Sequence, residues 1–218
     1  MPKRSTKQRI LDASLALFNH LGTASTSTNH IALELDISPG NLYYHYPNKE
    51  QLITTLFSRY EAGIQPLFNQ NLTLDSDIDD ISIEDIWFFL HLNFELALEY
   101  RFIYQDTDYI TLKCPALAKS FQQVLSKLYT ALTQLLSALS SNRVLDIPCE
   151  VIIEEIGLNM LLICTQWIHL KKHLAGIDTA KINEEHFNRG IYQALSLLTP
   201  YLNEAHQAHL QALRRAYQ

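Results

Sequence analysis

Glycine and proline are scarce: six and seven in 218 residues. That is too few for the turns of a β-sandwich, for a collagen-like repeat or for a disordered tract. Cysteine is scarcer still. Cys114, Cys149 and Cys164 lie far apart, with no CxxC spacing. An odd count without a framework excludes a disulfide scaffold and a zinc ribbon, and suits a reducing cytoplasm. The signatures GxGxxG, GxxxxGK(S/T) and GxSxG do not occur, so nucleotide and acyl-transfer chemistry has no foothold and no cofactor is expected. Long hydrophobic runs are missing too. The two most apolar stretches, Ile86 to Leu98 and Ile156 to Ile168, are interrupted by His91 and Glu95 and by Asn159 and Gln166, and both are shorter than a bilayer span. Met1 to Arg9 is polar throughout, unlike a signal peptide. These absences predict a cytoplasmic, all-α protein with no membrane partner, rich in Leu, Ala, Gln, Glu and Tyr.

The formal net charge of −6 discourages nucleic-acid binding only if charge is averaged over the chain. Residues 1–60 carry six basic and four acidic side chains, and the remainder carries eleven basic and nineteen acidic. A small basic part can therefore face phosphate while a large acidic part stays in solution.

Hydrophobic spacing divides the chain into helices. Ile10, Ala13, Leu17, Phe18 and Leu21 recur at three- and four-residue steps, and Gly22 closes that helix. Thr26 or Ser27 can cap a short second helix carrying Ile31, Ala32 and Leu35. After a tight connection at Asp36 and Ile37, Ser38 caps a third helix with Pro39 at its first position, where a missing N–H costs nothing. Pro47 ends it. Asn48 caps a fourth helix on Leu52, Ile53, Leu56, Phe57 and Tyr60. Residues 71–83 read as an acidic surface connector. A strongly apolar segment from Ile83 to Tyr104 follows. Long helices are expected from Cys114–Pro115 to about Ser140 and from Pro148 to Lys172. A last pair covers Glu184 to Leu198 and, past Pro200, the polar tail to Gln218.

Helix, short helix, tight turn and short helix within about 45 residues form a helix-turn-helix arrangement, in which the second short helix enters a major groove. Leu42 suits inward packing in that helix. Tyr43, Tyr44 and Tyr46 cannot all face inward from successive helical positions, so at least one is exposed. Gly40 permits close backbone approach. Ser38, the tyrosine hydroxyls and the helix-start N–H groups are ordinary phosphate donors. Asn41 is the candidate base reader, because an amide can pair bidentately with adenine.

The run from Arg9 to Phe57, with ILDASLALFNHLG, TSTNHIALELDIS and PGNLYYHYPNKEQLI, resembles the TetR family of bacterial transcriptional regulators. The resemblance implies a helix-turn-helix domain at residues 1–47 and a helical effector-binding and dimerisation domain at 48–218. It places Thr26, Ser27, Ser38, Tyr43, Tyr44 and His45 at phosphate and groove contacts, Gly40 and Asn41 at base-contacting positions, and Lys49 on a phosphate. It also implies a homodimer through the helices at 148–172 and 184–198, bound to a palindromic double-stranded DNA operator as a repressor and released by a small-molecule effector. Pro39 stands where the family often has a basic residue. No Lys or Arg occurs between residues 10 and 48, so Lys3, Arg4, Lys7 and Arg9 have to supply much of the charge.

Trp87, His91, Glu95, Arg101 and Tyr104 are polar and aromatic residues in a very apolar segment. They are candidates for lining an effector pocket, although His91 and Glu95, one turn apart, can equally pair with each other. His169 and His173 share the i,i+4 spacing of metal ligands, but no third ligand is evident and no metal is expected. Two other functions compete with the first. One is a DNA-binding regulator that responds to a protein partner. The other, an all-helical enzyme using His91 and Glu95 as acid and base, leaves the first 57 residues unexplained.

Overall fold

The computed structural model describes residues 5–69, 81–176 and 183–215. Lys3, Arg4 and residues 71–80 of the acidic connector lie outside the described residues. All regular structure among the described residues is helical.

The first three helices follow their end signals. In α1 (Thr6–Leu21), Ser5 Oγ accepts from Gln8 N–H at 3.2 Å, and Gly22 closes the helix at φ 84, its N–H donating to Phe18 O. That left-handed turn explains the glycine. In α2 (Thr28–Glu34) the cap is Ser27, whose hydroxyl accepts from His30 N–H. Asp36, at φ 53, makes the tight turn; aspartate tolerates this conformation better than most residues. In α3 (Pro39–His45), Ser38 accepts from Asn41 N–H. Ile10, Phe18, Ile31, Leu42 and Tyr46 close the core between the three helices, each at most 2% exposed. The long α4 (Lys49–Asn69) starts from the Asn48 cap, whose Oδ1 accepts from Gln51 N–H at 2.8 Å.

The apolar segment after the connector is not one helix. It divides into α5 (Ile83–Glu99), α6 (Arg101–Gln105) and α7 (Thr107–Lys113), with breaks at Tyr100 and Asp106. The reason for the first break lies 80 residues upstream. The Asn19 side chain of α1 donates to Glu99 O at 2.7 Å and accepts from Phe102 N–H at 3.0 Å, replacing the partners lost where the helix is interrupted. No local pattern announces such a cap.

The remaining helices are α8 (Pro115–Ser141), α9 (Glu150–Ala175), α10 (Glu184–Ser196) and α11 (Glu204–Arg215). Pro148 is not the start of α9. It lies in a loop that antiparallel pairing of Leu145 with Leu202 holds beside the C-terminal segment, and Cys149 is the residue before the helix. Past Pro200 the second member of the last pair is α11, amphipathic about Leu210, which is buried. α9 packs against α8 and α10, and α10 against α5. At Gly190 a Cβ would come within 2.6 Å of Phe94 and 2.8 Å of Trp167, so only glycine lets α10 approach α5 and α9 so closely.

Asn19→Ala should leave two interior backbone groups unpaired and lower the unfolding free energy by about 2–4 kcal/mol. Urea denaturation followed by circular dichroism measures this; a loss near zero would show that the break at Tyr100 does not depend on Asn19.

Candidate functional site

Helix α3 presents a polar face on an apolar anchor. Leu42 and Tyr46 point inward, while Ser38, Pro39, Gly40, Asn41, Tyr43 and Tyr44 are exposed and His45 is half-buried. Tyr44 is 84% exposed, so its ring is not holding the three-helix unit together. Tyr43 is oriented by a 2.9 Å hydroxyl–hydroxyl hydrogen bond to Thr28 at the start of α2. An added Cβ at Gly40 would meet only Ser38 Oγ, at 3.9 Å, so the space above that backbone is open. Ser27 and Ser38 each accept a helix-start N–H, which leaves the hydroxyl proton to donate outward.

Two residues expected on this face are engaged elsewhere. Thr26 is 1% exposed, and its hydroxyl donates to Gly22 O at 2.8 Å, so its side chain belongs to the interior of the α1–α2 turn. Lys49 Nζ donates to Thr23 O at 2.7 Å and to Thr26 O at 3.1 Å, and lies 5.0 Å from the centroid of the Tyr109 ring. Its charge closes the carbonyl side of the same turn, where no N–H is available to do so.

The turn is held from a second side. Asp106, between α6 and α7, accepts from Thr23 N–H at 2.6 Å and from Thr23 Oγ at 2.7 Å. With Asn19 in the break after α5, these contacts fasten the helix-turn-helix unit to α5, α6 and α7. Asn19, Thr23, Asp106 and Tyr109 carry no local sequence signal for this, because each contact joins residues 60 or more positions apart.

The five residues proposed to line an effector pocket divide into two groups. His91 and Glu95 face a cleft of about 500 Å³ between α5 and α10, together with Phe94, Leu98, Glu99, Glu184, Phe187, Asn188 and Ile191. His91 Nε2 and Glu95 Oε1 are 3.3 Å apart, so the i,i+4 pairing is present. Trp87 stacks on His91 beside the cleft, with ring centroids 5.6 Å apart. Arg101 and Tyr104 are not there. The hydroxyl of Tyr104 pairs with that of Tyr60 in the interior, and burial raises the pKa of both phenols. The Nε of Arg101 is buried without a hydrogen-bond partner, and desolvation lowers the guanidinium pKa. Asn93 is buried against the Cys164 thiol, which burial pushes up to about 12 against the smaller opposing pull of the Asn93 side chain. The α10 half of the cleft escaped sequence reasoning because it comes from a helix some 90 residues later.

Among the described residues no group of three or more His, Cys, Asp or Glu side chains is placed to hold a metal. The rings of His169 and His173 lie 4.6 Å apart on α9. The stretch Glu150–Lys171 within α9 is long and apolar enough, by length and composition, to cross a membrane, unlike its part from Ile156 to Ile168 taken alone. Its apolar positions face α8 and α10 on one side and are uncovered on the other.

Comparison with known proteins agrees with this geometry. Residues 10–56 match the family model of bacterial regulatory proteins of the tetR family, and residues 59–210 match the TetR model of bacterial transcriptional repressors. The crystal structure of a TetR-family transcriptional regulator from Marinobacter aquaeolei is 31% identical and aligns over 99% of this chain and 100% of that one, with a TM-score of 0.84. The biofilm operon negative regulator IcaR of Staphylococcus epidermidis is 29% identical over 44% of this chain and 49% of its own length. The regulator AcrR of Shigella flexneri is 34% identical over 29% of this chain and 30% of its own. The chain thus spans about half or less of the length of the curated relatives it matches. The two family models together cover nearly all of it, and the chain belongs to the TetR family of bacterial transcriptional regulators.

Proposed function

We propose that the protein is a homodimeric repressor that grips a palindromic operator with α3 and lets go when a small molecule enters its helical body. The observation that carries this reading is the exposed face of α3, where Asn41, Tyr43 and Tyr44 stand clear of a helix anchored by Leu42. In the proposed complex Gly40 and Asn41 meet base edges, while Ser27, Ser38, Tyr43, Tyr44 and His45 contact phosphate and sugar. The DNA-binding unit ends at Pro47, and the body begins with α4.

Dimerisation through the helices at 148–172 and 184–198 is supported by α9. Its Val151, Leu158, Leu162, Leu170 and Leu174 are all about half or more exposed, an uncovered apolar stripe that a second copy would bury. α10 contributes less, since its outward face is polar. A two-fold axis places the two α3 helices in major grooves about 34–36 Å apart and makes the operator palindromic.

The link between body and DNA has two strands. One is α4, continuous from the head into the body. The other is the set of contacts that Asn19, Thr23 and Asp106 make with the α5–α7 junction. An effector that shifts α5 or α6 therefore displaces the head. A coupling of about 1–3 kcal/mol changes operator affinity roughly 5–150-fold, and operator lowers effector affinity by the same factor.

Mobility-shift titrations against cognate and random DNA test the interface. Asn41→Ala should cost about 1–3 kcal/mol on the cognate site and little on random DNA; equal losses on both would move Asn41 to a backbone role. Lys49→Ala should lower thermal stability by about 1–2 kcal/mol, since two carbonyls lose a charged donor, with the salt slope of binding falling by less than one phosphate equivalent. A full-unit fall in slope at unchanged stability would return Lys49 to the phosphates. The double variant Leu158→Glu and Leu162→Glu should sediment as a 25.1 kDa monomer and lose tight operator binding; a dimer would place the interface off α9.

A further inference from the structure

The outward face of α9 carries more than leucine. Ile153, Ile156, Met160, Cys164 and Ile168 are buried on the side toward the body. On the opposite side, at helical steps, stand Glu155, Leu158, Leu162, Gln166, His169 and His173, all exposed. The spacing of this face is symmetric about Leu162: Leu158 and Gln166 lie four residues to either side, and Glu155 and His169 seven. A two-fold axis perpendicular to a helix sets it against an antiparallel copy of itself. Two copies of α9 crossing at Leu162 therefore bring Leu162 against its symmetry mate and Leu158 against Gln166. They also bring Glu155 against His169, so that each carboxylate faces an imidazole instead of a leucine.

We propose that a divalent transition ion of the zinc type binds between two subunits, held by His169 and His173 of one and by the partner subunit's Glu155, two ions to each dimer. Among the described residues of one chain the histidine pair has no third His, Cys, Asp or Glu beside it; the second copy supplies one. The pair is already arranged to chelate. Two imidazoles bonded to one ion at about 2.0–2.1 Å place their ring centres roughly 5 Å apart. Those of His169 and His173 are 4.6 Å apart, with the ring planes inclined by 55°. Direction favours the third ligand as well. Helical side chains lean toward the N-terminus of their own helix. His173 thus leans back toward His169, while the partner subunit's Glu155, on the reversed helix, leans toward His173. Packed helices lie about 8–10 Å apart between axes, a gap that a glutamate and a histidine bridge through one ion. Lys171 is turned off this face, its Nζ 5.0 Å from the centroid of the Trp167 ring. Two imidazoles and a carboxylate suit zinc, whereas magnesium and calcium take oxygen shells. The inference rests on the dimer through α9 proposed above.

The test uses the untagged full chain, freed of metal with EDTA, titrated calorimetrically with zinc chloride and sedimented at high dilution in zinc or in EDTA. One zinc should bind per chain, and magnesium should not. Zinc should lower the dimer dissociation constant about 100-fold, about tenfold for each of the two ions. Glu155→Gln, and separately the double variant His169→Gln and His173→Gln, should each weaken zinc binding about a hundredfold or more, beyond the cost of losing an outer-sphere partner. These side chains are exposed, so the helical circular dichroism should be unchanged. Mixed in equal amounts, the two variants should regain about a quarter of the original sites, because roughly half the dimers are then mixed and each has one intact ligand set. Recovery on mixing requires ligands from different chains, which a merely structural role does not produce. Absence of zinc binding, no recovery on mixing, loss of binding in Cys149→Ser, or undiminished binding by the monomeric variant Leu158→Glu and Leu162→Glu would overturn the proposal. A dimer equally tight in zinc and EDTA that binds no ion overturns the metal site alone. A chain that stays monomeric in both overturns the α9 interface with it.

Discussion

The hydrogen bonds between the Asp106 carboxylate and Thr23 decide where the DNA-binding unit stands. A turn joining two short helices has backbone groups that the helices cannot satisfy. In this protein those of the α1–α2 turn are met from the body: Asp106 takes the Thr23 N–H and hydroxyl, and Lys49 supplies the carbonyls of Thr23 and Thr26. Asn19 works in the opposite direction, lending an α1 side chain to the break between α5 and α6. Each side completes the other's backbone hydrogen bonding. Charge-assisted bonds of this kind are short, directional and costly to leave unmade, so the head is less a tethered module than a piece locked into a socket.

The same economy explains the recognition helix. With no basic side chain between residues 10 and 48, and with Lys49 committed inward, α3 has only hydroxyls, an amide, an imidazole and backbone N–H groups to offer. These groups bind phosphate by position and not by net charge, and they release few counterions. Affinity then depends on fit. In the proposed complex the Thr28–Tyr43 hydrogen bond and the Ser38 cap hold the donors in place before DNA arrives, which lowers the entropic cost of arranging them.

Much of this was legible in the sequence, for physical reasons. Caps, turns and short-range spacing are local chemistry: Ser27, Ser38, Pro39, Asp36 and Gly22 act where their residue types say they should, and Leu42 is buried because it is the one aliphatic side chain available to α3. The reading fails where distant residues decide. Thr26 and Ser27 are equally good caps on paper; the buried carbonyls of Gly22 and Leu17 draw Thr26 inward. Lys49 looks solvent-bound until the turn it closes is built. Tyr104, a polar aromatic in an apolar segment, resembles a pocket residue, but its partner Tyr60 lies on another helix. The interruption at Tyr100 is invisible because an unbroken helix would satisfy every local preference, and only Asn19 makes the break affordable.

Helix α5 is where these threads meet. One face carries His91, Glu95, Leu98 and Glu99 toward α10. Another holds Asn93, buried beside Cys164 of α9, and the C-terminal turn receives Asn19. In the regulator proposed above, a helix that carries charge along one face and is hydrogen-bonded to the DNA-binding unit at its end is placed to transmit a movement of the body to α1. Helix α4, buried along Leu52, Ile53, Leu56, Phe57, Tyr60 and Ile64 and continuous from the head into the body, would carry the same movement.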